Sequence, residues 1–154
     1  MSNTEAPAAV RDRLALALDV DDLVAATRLA RQLRPYFGVA KVGLELFSAT
    51  GPDAVGTLAE MGYKVFLDVK LHDIPNTVEK SARVLGSLGA SLLTLHAMGG
   101  ADMLRAGVDG LAAGADAAGL DAPTALAVTI LTSDSGAPPH GASHPPFPLS
   151  LIHI

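Results

Sequence analysis

The sequence predicts an α/β fold, a parallel sheet assembled from strand–helix repeats. Three observations carry that reading. Short apolar runs (LALALD, GVAKVG, KVFLDVK, SLLTLHA and TALAVTIL) alternate with longer segments whose apolar residues recur at helical spacing. The runs begin near residues 14, 38, 64, 91 and 124, so successive units measure about 24 to 33 residues, enough for a strand, a helix and two loops. The runs are apolar almost throughout, as buried strands are.

Each element follows in order. The first strand runs from Leu14 towards Asp19, and Asp21 and Asp22 then offer N-caps to a helix that places Leu23, Ala26, Ala30 and Leu33 on one stripe before Pro35 stops it. After the second and third strands, Pro75 stands where a helix's first turn tolerates proline. Val78, Ala82 and Leu85 form that helix's buried face, and Gly89 suits the left-handed position after its end. Met103, Gly107, Leu111 and Ala115 mark another helix, whose small residues permit close packing, and the fifth strand follows near residue 124. Five strands and four helices result. A doubly wound sheet fits that count; so does an eight-unit barrel of about 200–250 residues with the chain stopping after the fifth strand.

Composition narrows the function classes. With 154 residues, 49% apolar content and a net charge of −5, the chain is too hydrophobic to be disordered and has the length of about one domain. Its acidic balance and 4% aromatic content lack the basic face and stacking rings of a nucleic-acid binder. The absence of cysteine removes disulfides, thiolate metal sites and thiol nucleophiles, and agrees with a reducing cytoplasm. The start, MSNTEAPAAVRDR, shows no apolar stretch behind a basic end, so no secretory signal is expected. Residues 135–154 carry no Asp, Glu, Lys or Arg, but five prolines argue against a membrane span there.

The informative residues are charges that interrupt apolar strands near their C-terminal ends: Asp19, Lys41, Asp68 and Lys70. In parallel α/β folds that edge is where ligands bind. Asp68 and Lys70 stand two apart, which on a regular strand puts both on one face. Uncompensated buried charge is costly, and these four residues supply two carboxylates and two ammoniums that can satisfy one another. Asp73, in the following loop LHDIPNT, completes an Asp-x-Lys-x-x-Asp pattern, two carboxylates around one ammonium. Such a group aims a protonated lysine at a substrate atom, as a general acid requires. The alternative is a structural ion-pair network at a barrel rim, which weighs more for Asp19 than for Asp68 and Lys70.

Other residues signal less. His72 and His96 lack Cys, His or carboxylate partners at metal-ligand spacing, so no metal site is expected, and His96 reads as a hydrogen-bonded rim residue. Gly99-Gly100 before a helix would admit an anion or merely make a turn. Thr132 and Ser133 after the fifth strand can donate to a ligand carbonyl.

With those residues laid out, the sequence closely resembles the orotidine 5′-phosphate decarboxylase family. The matching elements are LALD at 16–19, KVGLELF at 41–47 followed by Gly51-Pro52, FLDVKLHDIPNTV at 66–78, LTLHAMGG at 93–100 and AVTILTS at 127–133. The resemblance implies a (β/α)8 barrel working as a homodimer, which converts orotidine 5′-monophosphate to UMP and CO2 without metal or organic cofactor. By position, Lys70 would protonate C6 of the pyrimidine as CO2 leaves, and Asp68 would face the substrate carboxylate. Lys41 would position Asp68 and contact the ribose, and Asp19 would bind a ribose hydroxyl. Asp73 and Thr77 would reach into the neighbour's site, Ile74 of the same loop would join the substrate-binding residues, and Thr132 would contact the pyrimidine. Sugar-phosphate decarboxylases and hexulose-phosphate synthases share Asp-x-Lys-x-x-Asp but use Mg²⁺ with an acidic residue on the second strand, where this chain has Lys41.

The resemblance stops after Ser133. The expected organisation is therefore a flexible segment 1–12, a partial barrel 13–134 and a Pro/His-rich tail 135–154 holding His140, His144 and His153. The family continues through a lid loop and three more units, and grips the 5′-phosphate with an Arg, backbone amides and a Gln that have no counterpart here. That absence leads to three expectations: a gene truncated or misread near this point, little turnover by the chain alone, or a non-catalytic half-barrel that associates through its open edges.

Overall fold

The computed structural model describes residues 6–133, so the tail 135–154, with His140, His144 and His153, lies outside the described residues. The chain forms helix α1 (Ala8–Arg11), strand β1 (Ala15–Ala17), α2 (Leu23–Leu33), β2 (Val39–Gly43), α3 (Leu44–Thr50) and α4 (Asp53–Glu60). It continues through β3 (Lys64–Leu71), α5 (Pro75–Gly86), β4 (Leu92–His96), a 3₁₀ turn (Ala97–Gly99), α6 (Gly100–Ala118) and β5 (Thr124–Val128).

All five strands join one parallel sheet in the order β1-β2-β3-β4-β5. That order separates the two architectures left open by the repeat. A doubly wound sheet reverses direction at a switch point, whereas a barrel adds each strand beside the last. The sheet is also curled. Ala15 and Ala17 of β1 line the same cleft as Val128 of β5, although in a flat sheet four strand spacings would hold those edges about 19 Å apart.

Local chemistry accounts for the helices. The Asp22 carboxylate accepts the Ala25 N–H at 2.7 Å and caps α2, which buries Ala26 and Ala30. Between β2 and β3 the helical segment comes as two pieces, α3 and α4, because Gly51 (φ 60°) and Pro52 interrupt it. Pro75 opens α5, which buries Val78, Ala82 and Leu85 as the apolar spacing requires; Gly89 takes φ 82°. Helix α6 buries Met103, Gly107, Gly110, Leu111, Gly114 and Ala115. It lies so close to α5 that a Cβ at Gly110 or Gly114 would overlap the carbonyl oxygen of Glu79 or Arg83. The single turn α1 is tied down where Gly38 N–H donates to Arg11 O at 2.8 Å.

The core fills the layer between helices and sheet, with Leu18, Val42, Val65, Leu67, Leu93 and Leu95 packed against Leu46, Val55, Leu58, Val78 and Leu111. Tyr63 sits at its margin; its hydroxyl donates to Ala30 O at 2.7 Å, and burial raises its pKa above the usual phenol value. Among the described residues no helix is long and apolar enough to cross a membrane.

Candidate active site

The sheet's inner face forms a cleft of ≈ 660 Å³ at the C-terminal ends of the strands, lined among others by Lys41, Phe66, Asp68, Lys70 and Thr132. Two ion pairs stand there. Lys70 Nζ donates to Asp68 Oδ1 at 2.8 Å, and Lys41 Nζ donates to Asp19 Oδ1 at 2.9 Å. The two pairs differ in exposure: the Asp68 side chain is 15% exposed and that of Asp19 66%. Asp68 therefore meets far less competing water.

The path that brings Lys70 to Asp68 is not the regular strand that the two-residue spacing suggests. Residues Phe66 and Leu67 pair with Leu92 and Leu93, but Leu71 already pairs with Leu95, so β3 carries two extra residues against β4. Lys70 takes φ 48° and is the one non-glycine residue with positive φ among the described residues. A bulge of this kind breaks the ladder and re-aims a side chain. Here it turns the ammonium back onto Asp68. Thr94, which the sequence reading left unremarked, closes the arrangement: its fully buried hydroxyl accepts the Lys70 N–H at 2.9 Å and donates to Asp68 Oδ1 at 3.0 Å. A lone polar residue between leucines in SLLTLHA was its signal, since buried polar groups are bonded to something.

Asp73 does not join the group. Its carboxylate accepts the neighbouring Ile74 N–H at 2.6 Å, and Asp73, Ile74 and Thr77 are all exposed where α5 begins. The loop that leads into Pro75 carries Asp73 out past the strand end, so within one chain a single carboxylate, not two, meets Lys70. Lys41 likewise pairs with Asp19 and not with Asp68. Thr132 and Ser133 reach the cleft, as their place after the fifth strand predicts.

At the rim, the rings of His72 and His96 stack with centroids 5.1 Å apart, and His96 Nδ1 accepts the Met98 N–H at 3.4 Å. Burial, then the nearness of His72 and of Lys70, hold His96 below the usual imidazole pKa. A Cβ at Gly99 would overlap the flexible end of the Met103 side chain, which would have to shift; Gly100, φ 82°, follows the 3₁₀ turn and opens α6.

The family model for "Orotidine 5′-phosphate decarboxylase / HUMPS family" matches residues 12–138. The orotidine 5′-phosphate decarboxylase of Moorella thermoacetica is 49% identical over 123 residues, 80% of this chain and 49% of that protein. The enzyme of the same name from Anaeromyxobacter dehalogenans is 52% identical over 122 residues, 79% of this chain and 50% of that protein. The crystal structure of orotidine 5′-phosphate decarboxylase from Lactobacillus acidophilus superposes with a TM-score of 0.71 at 44% identity, covering 80% of this chain and 55% of that one. The chain spans about half the length of the curated relatives it matches.

Proposed function

The chain belongs to the orotidine 5′-phosphate decarboxylase / HUMPS family, and from that premise we propose that its cleft carries the acid–carboxylate part of a site that converts orotidine 5′-monophosphate to UMP and CO2, the closing step of pyrimidine nucleotide synthesis. The observation that carries the reading is the Lys70–Asp68 pair, 2.8 Å apart on a bulged strand end, inside the segment FLDVKLHDIPNT.

The chemistry follows from charge. When the C6–carboxylate bond breaks, its electron pair stays on C6 and CO2 leaves neutral. An ammonium already fixed beside that carbon offsets the developing negative charge without reorganising, and Lys70 Nζ then gives its proton to C6 to complete UMP. Asp68 faces the departing carboxylate. Their like charges repel in the bound substrate, and the repulsion vanishes as the carboxylate becomes CO2. Lys41 and Asp19 present a donor and an acceptor to ribose hydroxyls, and Thr132 a hydroxyl to the pyrimidine. A volume of ≈ 660 Å³ lies within the range of small-molecule sites.

In this reading the working form is a cytoplasmic homodimer. Asp73, Ile74 and Thr77 are exposed, Ile74 at 65%, and would complete a second copy's site. No metal or organic cofactor takes part: Lys41 on β2 stands where Mg²⁺-dependent members of the superfamily place an acidic residue.

A chimera tests the proposal. Residues 12–133 replace the matching half of the Moorella thermoacetica enzyme, and UMP formation is followed with and without Mg²⁺ or EDTA. The expected result is turnover indifferent to either, falling at least a thousandfold with Lys70→Ala. A folded chimera whose turnover survives Lys70→Ala overturns the acid role, and metal dependence overturns the choice of reaction.

A further inference from the structure

We propose that Thr94 is the positioning residue of the Lys70–Asp68 pair, the group that sets where the ammonium stands against the carboxylate. The proposal rests on the reading above only in that it gives Lys70 and Asp68 a substrate to act on.

The broken ladder between β3 and β4 sets the requirement. Where β3 carries its two extra residues, Lys70 has no register partner on β2 or β4. An unsatisfied amide in a part-buried position is costly. Thr94 satisfies it with a side chain: Lys70 N–H donates to Thr94 Oγ1 at 2.9 Å. The hydroxyl has one proton, and it goes to Asp68 Oδ1 at 3.0 Å. That oxygen also receives Lys70 Nζ at 2.8 Å. The result is a closed ring through one residue's backbone and side chain, one carboxylate oxygen and one hydroxyl.

Thr94 is fully buried and sits on β4 between Leu93 and Leu95, both also buried. It cannot swing away to solvent, so the ring is anchored to the core. A β-branched residue in a strand also has few χ1 rotamers available. Thr94 thereby ties together the left-handed backbone of Lys70 and the orientation of the Asp68 carboxylate. A hydroxyl that served packing alone would not need both bonds.

Amide hydrogen exchange and carboxyl-carbon NMR on the full chain test this. In the unchanged protein, the Lys70 N–H is expected to exchange at least tenfold more slowly than in an unstructured peptide. Thr94→Val, which keeps the shape and removes the hydroxyl, is expected to accelerate that exchange at least tenfold and to move the Asp68 Cγ resonance, while the Leu93 and Leu95 amides stay protected. Thr94→Ser is expected to restore both signals. Unchanged Lys70 exchange and Asp68 resonance in Thr94→Val overturn the proposal; so does equal acceleration at Leu93 and Leu95, which marks a purely structural residue. Should Thr94→Val not fold, the unchanged protein and Thr94→Ser decide: slow Lys70 exchange in both supports the role, and peptide-like exchange in the unchanged protein overturns it. None of these signals needs turnover, so failure of the decarboxylase reading, seen as UMP formation indifferent to Lys70→Ala, remains a separate result.

Discussion

Lys70 Nζ reaches Asp68 Oδ1 at 2.8 Å across a backbone that turns left-handed at Lys70 itself, φ 48°. Left-handed backbone costs a non-glycine residue roughly 1–2 kcal/mol because Cβ crowds the following carbonyl. The fold accepts that cost at the residue proposed to carry the chemistry, and strain of this kind gathers at functional sites because the surroundings over-determine it.

The strain is measurable without the ammonium. Lys70→Gly and Lys70→Ala both remove the charge, but only glycine adopts φ 48° freely. In urea unfolding the glycine variant should therefore be the more stable of the two by about 1 kcal/mol. An alanine variant as stable as the glycine one would mean that Lys70 is unstrained.

The two ion pairs predict unequal consequences for stability. Asp19 is largely exposed, and a pair of that kind contributes about 0–1 kcal/mol, so Asp19→Ala should leave the urea midpoint nearly unchanged. Asp68 is part-buried and accepts from both Lys70 Nζ and Thr94 Oγ1. Asp68→Ala strands two donors and should cost about 1–3 kcal/mol. Equal losses in the two variants would refute the assignment of Asp68 to the drier environment.

These contrasts mark how far the residues alone carry the argument. The strand starts, the Asp22 cap, the buried faces of α2, α5 and α6 and the placing of Asp68, Lys70, Lys41 and Thr132 at one strand edge all follow from local pattern. Period and capping act over a few residues, so they are visible in a line of text. The strand order is not: sequential and doubly wound sheets share the same repeat, and only pairing separates them. Nor is the bulge, because two extra residues on β3 are defined against β4. Asp73 illustrates the same limit, since its distance from Lys70 depends on how the chain leaves the strand after Leu71. Thr94 was legible as a polar residue in an apolar strand, but its partners lie 24 and 26 positions away in sequence.

Close helix packing predicts a sharp contrast among glycines. A Cβ at Gly114 would overlap the Arg83 carbonyl oxygen, a backbone atom that cannot step aside, whereas a Cβ at Gly56 in the exposed part of α4 meets nothing within 4 Å. Gly114→Ala should destabilise by about 1–3 kcal/mol through forced separation of α5 and α6. Gly56→Ala should stabilise by about 0.5–1 kcal/mol, as alanine does in an open helix position. Thermal unfolding of the two variants beside the unchanged protein checks both signs.

The burial of His96 at the rim gives stability a pH dependence whose direction is fixed. His96 sits below its ordinary value of 6.5 because burial, then His72 and Lys70, disfavour its charged form. As the pH falls through 6.5, the unfolded chain therefore takes up the proton before the folded one does. Stability is full above that value and declines below it, until the folded form titrates as well. His96→Asn keeps an acceptor for the Met98 N–H but does not titrate. The melting temperature of the unchanged protein should thus fall more steeply between about pH 7 and pH 5 than that of His96→Asn. Parallel curves for the two proteins would show that the fold does not resist His96 protonation.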